Sequence, residues 1–338
     1  MTAALIGTGM VADMHVSAVA EAAGVRLKGA FSRGLERCSA FAERHRLHRY
    51  ESVEAIAEDA EVDFILLATP PDARAAYVER MIAVRKPILM EKPVERDTAR
   101  ARALVHAAEA ADLPLGVLLQ HRMRPAAQAL SARIQAGALG RIATVEVRVP
   151  WWRPQSYYDA PGRGTYARDG GGVLITQAIH TIDLMLQFCG PVRDVQAMVA
   201  TSDLHRLQAE DFAAAALRFE SGATGALMAS TTHYPGGREA ITLNGTEGSA
   251  TLTANHLTVH SQSGEVEDLG AAAGTGGGAD PMAFSADWHR AVIEDFAAAL
   301  RDRRPPLITG RSALAAQALI DAILASARAG SSLEPEAV

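Results

Sequence analysis

The chain has 338 residues, with 33 Lys and Arg against 39 Asp and Glu and a formal net charge of −6. Hydrophobic residues make up 49% and charged residues 21%, the balance of an ordinary globular protein, which argues against a disordered or fibrous chain. The acidic balance gives no electrostatic reason to expect a nucleic-acid partner. The length is that of two domains rather than one.

Cysteine content and hydropathy favour a protein of a reducing, aqueous compartment. Cys38 and Cys189 are too few for a disulfide framework or a cysteine-based zinc site. No unbroken apolar run approaches the roughly 20 residues that span a bilayer. The N-terminus begins with a strand pattern, Ala3–Ile6, rather than a signal peptide. We expect a cytoplasmic protein with no membrane partner.

The first 120 residues alternate short apolar runs with segments of helical periodicity. Strands are predicted at Ala3–Ile6, Val25–Phe31, Asp63–Thr69, Pro87–Met90 and Leu115–Gln120. Helices are predicted at Met10–Ala22, Asp72–Val84 and Glu95–Ala110. Strands that alternate with helices predict a doubly wound parallel sheet of the α/β class.

After residue 120 the pattern changes to consecutive strands. A strand at Ile142–Val149 and an irregular segment at Trp151–Gly172 precede a helix at Val173–Phe188. Further strands are predicted at Phe212–Phe219, Thr224–Ser230, Ala240–Leu243 and Ala250–Val259, then a Gly/Ala loop at 270–278 and helices at Phe284–Leu300 and Ser312–Ala329. Tight turns between strands indicate an antiparallel sheet. The expected division is therefore an α/β domain at 1–120 and an α+β domain at 121–338.

The first strand runs directly into a glycine motif, Gly7-Thr8-Gly9-Met10-Val11-Ala12. This G-x-G-x-x-A pattern between a strand and a helix is typical of dinucleotide-binding folds. The first glycine permits a tight turn and the second allows a pyrophosphate to approach the backbone. Free N–H groups at the start of the helix then face the phosphates.

The residues at the end of the second predicted strand bear on the choice of dinucleotide. An NAD site usually has Asp or Glu there to bind the ribose 2′-hydroxyl. This chain has Ser32, Arg33 and Arg37 instead, which suit a 2′-phosphate better. We therefore expect NADP rather than NAD, unless the two arginines are only the solvated start of a helix.

Three further motifs accompany the glycine turn: Ala68-Thr-Pro-Pro71, Glu91-Lys-Pro93 and the segment from Gly170 to His180. Together the four resemble the Gfo/Idh/MocA oxidoreductases, over almost the whole chain. The resemblance implies an N-terminal Rossmann domain and a C-terminal α+β domain with a large, mainly antiparallel open sheet. It also implies a homodimer or homotetramer, and a closing helix at about 312–329 that can pack back on the first domain.

The resemblance carries roles over to individual residues. It implies that Thr69, Pro70 and Pro71 lie along the cofactor, and that Glu91 and Lys92 belong to a motif whose lysine lies between nicotinamide and substrate. His180 matches the catalytic acid/base of the family. Gln120 corresponds to a position near the nicotinamide and Arg122 to one near the substrate. The acid/base role of His180 is chemically reasonable, because oxidising an alcohol needs a base for the hydroxyl proton and histidine titrates near neutral pH.

One position departs from the family pattern. Many members have Asp four residues before the catalytic histidine, where this chain has Thr176 followed by Gln177. Some relatives that act on nucleotide amino-sugars are similar here, so both residues are candidate substrate contacts. The change puts a Lys–Asp–His proton relay in doubt. Asp183 is either a substitute partner for the imidazole or an acid on the helix surface.

The segment after the Ile142 strand is the candidate specificity loop. It is rich in aromatic and basic residues, of which Trp152 and Arg163 are candidate substrate contacts through stacking and oxyanion binding. The alternative is a loop that covers a sheet or an interface. No metal site is expected, because His45 and His48 have no third ligand at a recognisable spacing.

The sequence therefore predicts an NAD(P)-dependent oxidoreductase that interconverts a secondary alcohol and a ketone on a sugar, sugar derivative or polyol. Lys92 and His180 are the expected catalytic residues. Two alternatives stay open: an NAD-dependent glycosidase that recycles its cofactor, and a non-catalytic dinucleotide-responsive regulator.

Overall fold

The computed structural model describes residues 1–270 and 276–338. The chain divides into two compact units. The first is Met1–Gln120 with Ala286–Leu314, and the second is His121–Ser285 with Ala315–Val338. The chain thus returns to the first unit after completing most of the second. Part of the Gly/Ala loop predicted at 270–278 lies outside the described residues.

Helices and strands follow one another along the described residues in a regular order. They are β1 (Thr2–Ile6), α1 (Ala12–Glu21), β2 (Arg26–Phe31), α2 (Leu35–His45), β3 (His48–Arg49), α3 (Val53–Glu58), β4 (Phe64–Leu67), α4 (Arg74–Ala83), β5 (Ile88–Glu91), α5 (Thr98–Ala110), β6 (Leu115–Leu118), α6 (Pro125–Gln135), β7 (Ile142–Pro150), α7 (Gln155–Tyr158), α8 (Ile179–Cys189), β8 (Val192–Ala200), β9 (Phe212–Phe219), β10 (Thr224–Ser230), β11 (Ala240–Gly245), β12 (Gly248–Thr253), β13 (His256–Ser261), β14 (Val266–Gly270), α9 (Asp287–Asp302) and α10 (Gly310–Ala329). Single 3₁₀ turns occur at Pro71–Ala73 and Gln120–Met123, and a π-helical turn at Leu174–Ala178 leads into α8.

The first unit is built on a six-stranded parallel sheet in the order β3-β2-β1-β4-β5-β6. Strands β1, β4, β5 and β6 are short and buried along their whole length, as expected for strands covered on both faces. Strand order reverses between β1 and β4, where doubly wound folds bind their ligands at the carboxyl ends of the strands. The predicted α/β fold is confirmed.

The second unit is built on an eight-stranded sheet in the order β14-β13-β12-β11-β7-β10-β9-β8. Strands β7 and β10 are parallel, and every other described neighbouring pair is antiparallel. In β7, Val145, Val147 and Val149 are buried while the residues between them are more exposed. Helices α6 and α8 pack against this sheet. The prediction of a large, mainly antiparallel sheet is confirmed.

One predicted strand was wrong in extent. The run Ala250–Val259 is two antiparallel strands, β12 and β13, rather than one. The chain reverses at Ala254, whose φ of 55° is left-handed and ends the extended conformation. The apolar alternation of Ala250, Leu252 and Ala254 breaks at Asn255-His256 and resumes one position out of phase at Leu257, and this break marks the turn.

Among the described residues, one helix, α10, is long and apolar enough by length and composition to cross a membrane. Most of its most apolar stretch is buried within the protein, a pattern that the core helix of a globular protein also shows.

Candidate functional site

The glycine motif forms a tight turn at the carboxyl end of β1. Gly7 has a φ of 108°, and a Cβ there would lie 2.6 Å from the carbonyl oxygen of Ala68, so only glycine fits. A Cβ on Gly9 would meet no atom within 4 Å, so space is open beside its backbone. Met10 is exposed and Val11 is the N-cap residue of α1. The turn therefore leaves a helix N-terminus facing free space, which suits a pyrophosphate.

The three residues predicted to select the dinucleotide divide into two groups. Ser32 is buried, and its Oγ lies 2.8 Å from Oγ1 of Thr8 in the glycine turn. Arg33 and Arg37 are exposed, and neither donates a hydrogen bond to another described residue. Ser32 thus ties the end of β2 to the glycine turn, while the guanidinium groups are available to an anion.

Residues after three other strands line the same edge of the sheet. Thr69 follows β4, Lys92 follows β5 and Gln120 follows β6, each just beyond the carboxyl end of its strand. Thr69 Oγ1 and Gln120 Oε1 are buried and accept or donate no hydrogen bond among the described residues. Buried polar atoms are normally satisfied, so these atoms fit contacts to a bound molecule. The edge therefore fits a dinucleotide, with Gly7 and Gly9 at its phosphates.

A buried arginine joins two of these strand ends. Arg74, the first residue of α4, donates from Nε and Nη2 to the carbonyl oxygen of Thr69 at 3.1 and 2.8 Å. Its Nη1 donates to the carbonyls of Glu91 and Pro93, which flank Lys92. Burial lowers the pKa of Arg74 to about 10. A single guanidinium therefore fixes the backbone on both sides of the predicted catalytic lysine.

The side chain of Glu91 is held by two buried histidines. His15 of α1 places Nε2 3.0 Å from Glu91 Oε1, and His289 of α9 lies 3.9 Å from the same oxygen. Burial alone would raise the pKa of Glu91, but the hydrogen bond with His15 and nearby positive charges lower it to about 2. Burial lowers the pKa of His289 to about 4. Glu91 Oε2 in turn accepts from the backbone N–H of Lys92 at 3.2 Å.

In the second unit, a buried carboxylate caps the start of the helical segment that carries His180. The carboxylate of Glu210, itself buried, accepts from the backbone N–H groups of Gly172 and Leu174 at 3.1 Å. A Cβ on Gly172 would lie 1.8 Å from the carbonyl oxygen of Glu210, so only glycine fits there. Thr176 donates from Oγ1 to the carbonyl oxygen of Gly172 at 2.6 Å, within the π-helical turn. A π-helical turn often marks a functional site.

His180 is buried and stacks on a second histidine. The ring of His121 lies 4.5 Å from that of His180, with 26° between their planes. Arg124 Nη2 lies 2.5 Å from His121 Nε2, and because arginine is always a donor this nitrogen accepts. His121 was not identified from the sequence, although it lies between two candidate residues, Gln120 and Arg122.

Arg122 and Asp183 form a buried ion pair. Arg122 donates from Nε and Nη2 to the two carboxylate oxygens of Asp183 at 2.7 and 2.5 Å. Burial raises the pKa of Asp183, and the ion pair opposes that rise. Asp183 is therefore buried rather than an acid on the helix surface, and Arg122 pairs with it.

Gln177 links the start of this helix to the aromatic loop. Arg153, which is buried, donates to Gln177 Oε1 at 2.8 Å, and Gln177 Nε2 donates to the hydroxyl of Tyr157 at 2.9 Å. Trp152, in contrast, packs edge-on against Tyr234 with ring centroids 5.1 Å apart. Of the two candidates in the aromatic loop, Arg163 contacts the Gln177 cluster through the ring of Tyr157, whereas the side chain of Trp152 packs against Tyr234.

Among the described residues, no three His, Cys, Asp or Glu side chains come together as metal ligands. His45 bonds to Asp13, and His48 packs edge-on against Tyr50. Both cysteines are free thiols and buried.

Two protein-family models match most of the chain. The model described as the oxidoreductase family, NAD-binding Rossmann fold, matches residues 1–119. The model described as the GFO/IDH/MocA C-terminal domain matches residues 127–251. The two matches meet near the boundary between the two units.

Known proteins similar to this chain include dehydrogenases and a reductase. D-apiose dehydrogenase from Paraburkholderia graminis is 27% identical, over 98% of this chain and 88% of its own length. 1,5-anhydro-D-fructose reductase from Ensifer adhaerens is 25% identical over 98% of both chains. Among solved structures, the WlbA dehydrogenase from Bordetella pertussis, in complex with NADH and UDP-GlcNAcA, is 28% identical with a TM-score of 0.86, over 100% of this chain and 99% of that one.

Proposed function

Because this chain belongs to the GFO/IDH/MocA oxidoreductase family, we propose that it interconverts a secondary alcohol and a ketone on a sugar, sugar derivative or polyol, with a nicotinamide dinucleotide as cofactor. The relatives named for D-apiose and for 1,5-anhydro-D-fructose support a sugar-type substrate. The WlbA complex, with a nucleotide-linked sugar, supports the broader class of sugar derivatives.

The observation that carries this proposal is the convergence of strand ends in the first unit. The glycine turn, Thr69, Lys92 and Gln120 follow the carboxyl ends of four adjacent strands. In doubly wound sheets this edge binds the ligand. An ammonium at this edge suits redox chemistry, since it stabilises the negative charge that develops on an alcohol oxygen.

The proposed chemistry separates a hydride from a proton. A bound nicotinamide supplies the acceptor or donor of the hydride. His180 accepts the hydroxyl proton during oxidation and returns it during reduction. Lys92 stabilises the developing alkoxide through its ammonium group. His121 limits the orientation of the His180 ring by stacking on it.

We propose NADP as the preferred dinucleotide. Arg33 and Arg37 are exposed beside the end of β2, and the strand end lacks the Asp or Glu that an NAD site usually has. A guanidinium binds a phosphate through charge-assisted hydrogen bonds. NAD is the alternative, and it is the dinucleotide present in the WlbA complex, as NADH.

Assembly and location are further proposals. The outer strands β8 to β10 of the second sheet present an alanine-rich face with Met198 78% exposed, which supports a homodimer or homotetramer. The two buried free thiols support a reducing, cytoplasmic location.

The proposal is tested by following the absorbance of reduced cofactor at 340 nm during turnover, with NADP⁺ or NAD⁺ and a panel of sugars, sugar acids and polyols. We expect His180→Ala and Lys92→Ala to lose turnover by roughly two to four orders of magnitude while they still bind dinucleotide. His260→Ala, which removes an exposed histidine of β13, is the matched control and should turn over like the wild type.

Wild-type turnover in His180→Ala or Lys92→Ala would contradict the proposed roles. Cleavage of a glycoside without net reduction of the cofactor would instead indicate the recycling glycosidase. Tight dinucleotide binding without turnover of any class of substrate would indicate the regulator.

A further inference from the structure

Arg163 lies on the loop of the second unit that joins β7 to the helix of His180, and it has no fixed counter-charge. Its guanidinium carbon lies 4.3 Å from the ring centroid of Tyr157, a cation–π contact. Nε is buried and makes no hydrogen bond to a described residue. The terminal nitrogens likewise donate to no described carboxylate or carbonyl. The aromatic ring thus holds the cation in place without using its hydrogen-bonding capacity.

The acidic residues of the same loop are committed elsewhere. Residues 151–172 contain three arginines and two aspartates. Asp159 accepts from the side chain of Gln155 at 2.9 Å, and Asp169 pairs with Arg168 at 3.0 Å. The loop thus carries one more arginine than aspartate, and neither of these carboxylates pairs with Arg163.

A second guanidinium adds to this charge. Arg153 is buried, and its guanidinium carbon lies 5.6 Å from the same Tyr157 ring. Its hydrogen bonds go to the carbonyl of Trp152, the carbonyl of Gly278 and the amide oxygen of Gln177, all of them neutral acceptors. Two cations therefore lie beside one ring; the acceptors that Arg153 contacts are neutral, and the carboxylate of Asp280 acts on it electrostatically. Such an arrangement favours an oxyanion.

The cluster is connected to the proposed acid/base. Gln177 bonds both Arg153 and Tyr157, and it lies three residues before His180 in the same helical segment. A substrate whose hydroxyl is deprotonated by His180 would need a second group, away from that hydroxyl, to contact Arg163. The anionic group therefore belongs on a carbon other than the one that is oxidised.

We propose that Arg163, held by Tyr157, binds an oxyanion on the substrate, so that the substrate is a sugar derivative bearing a carboxylate or a phosphoryl group. This inference rests on the proposed function, since it places the group on the molecule that His180 deprotonates. Neutral sugars and polyols would occupy the site without that ion pair. Arg163 is thus the specificity-determining residue.

Binding rather than turnover tests this proposal, which separates its failure from that of the proposed function. The dissociation constants of D-galacturonate, D-gluconate, D-glucose 6-phosphate and neutral myo-inositol are measured by calorimetry with saturating NADP⁺. We expect at least one anionic probe to bind about tenfold or more tightly than myo-inositol. Comparing the affinities of the two carboxylates with that of the phosphate ester identifies which oxyanion the site binds.

Variants assign the preference to Arg163. Arg163→Met should lower the affinity for the anionic probe by about 10- to 100-fold and leave the affinity for myo-inositol unchanged. Arg163→Lys should recover part of the affinity, because it keeps the charge without the planar fork. Arg206→Met, which removes an exposed arginine of the same unit, should bind every probe like the wild type. If Arg163→Met does not fold, the Lys variant and the loss of wild-type affinity with added NaCl carry the test.

Equal affinity for anionic and neutral probes, binding of none of them, or an anion preference that survives in Arg163→Met would each overturn the proposal. Anion binding without any turnover would support the oxyanion site and contradict the oxidoreductase function instead.

Discussion

The guanidinium of Arg74 donates two hydrogen bonds to the carbonyl oxygen of Thr69, at 3.1 and 2.8 Å. The same buried group also reaches the carbonyls on either side of Lys92. Its partners in these bonds are neutral backbone carbonyl oxygens. Two loops that the sequence resemblance places along the cofactor are therefore fixed by one side chain.

Replacing Arg74 tests this arrangement. Arg74→Met leaves several buried carbonyls without a donor, and we expect the melting temperature to fall by about 5 to 10 °C. Arg74→Lys keeps a donor and should lose about half as much. Arg100→Met removes an exposed arginine paired with Asp97 and should change the melting temperature by about 1 °C or less. Differential scanning calorimetry gives all three values, and equal melting temperatures for Arg74→Met and Arg100→Met would be inconsistent with the assigned role.

The cluster of Glu91 with His15 and His289 predicts acid lability. His289 has a pKa of about 4 in the folded chain against 6.5 as its ordinary value, so unfolding takes up a proton below pH 6.5. Its contribution to stability is complete above pH 6.5 and is lost as the pH falls from 6.5 towards 4. Glu91, with a pKa of about 2 against 4.5, loses its contribution between pH 4.5 and 2.

His289→Gln isolates the first of these two losses. We expect the variant to be less stable than the wild type at pH 7. Its melting temperature should fall less between pH 6.5 and pH 4.5, because it lacks the buried imidazole that takes up a proton there on unfolding. His260→Gln, on an exposed histidine, should follow the wild-type profile. Parallel profiles for His289→Gln and the wild type would show that His289 does not cause the acid lability.

Alanine substitutions at the two glycines of the first turn should have different effects. Gly7→Ala places a Cβ 2.6 Å from the carbonyl oxygen of Ala68 at a φ of 108°, so it should lower the melting temperature by several degrees. Gly9→Ala meets no protein atom within 4 Å and should leave the melting temperature unchanged. It should nevertheless weaken dinucleotide binding by roughly tenfold or more, since the methyl group occupies the phosphate position. Calorimetry together with a dinucleotide titration separates the two effects, and undiminished binding by Gly9→Ala would place the phosphates elsewhere.

The sequence predicted what depends on local pattern. Glycine spacing after a strand located the turn at Gly7, and short apolar runs located the strands that end beside Thr69 and Lys92. Both signals lie within a few consecutive residues. The antiparallel sheet of the second unit was also predicted, from consecutive strands with tight turns, whereas its large size was implied by the family resemblance.

The contacts that hold the site were not predicted, because they join residues far apart in the chain. Arg74 lies in a polar helical stretch and looks like a solvated residue, yet it is buried among carbonyls. Asp183 could likewise be read from the sequence as a surface residue. Its ion pair with Arg122, 61 residues earlier in the chain, is what shows its role. Glu210 caps the helix start at Gly172 across 38 residues. No periodicity encodes such pairings.

We propose above all that the first unit binds a nicotinamide dinucleotide and selects it through a 2′-phosphate. The most direct measurement is a fluorescence titration of the purified protein with NADPH and with NADH at the same salt concentration, for the wild type and for Arg33→Ala, Arg37→Ala and the control Arg100→Ala. We expect NADPH to bind more tightly than NADH. The affinity for NADPH should fall by about 10- to 100-fold in the Arg33 or Arg37 variant and stay at the wild-type value in the control. Equal or reversed preference in the wild type would contradict the choice of NADP. If neither dinucleotide binds and none is released on denaturing the protein, the oxidoreductase function itself is contradicted.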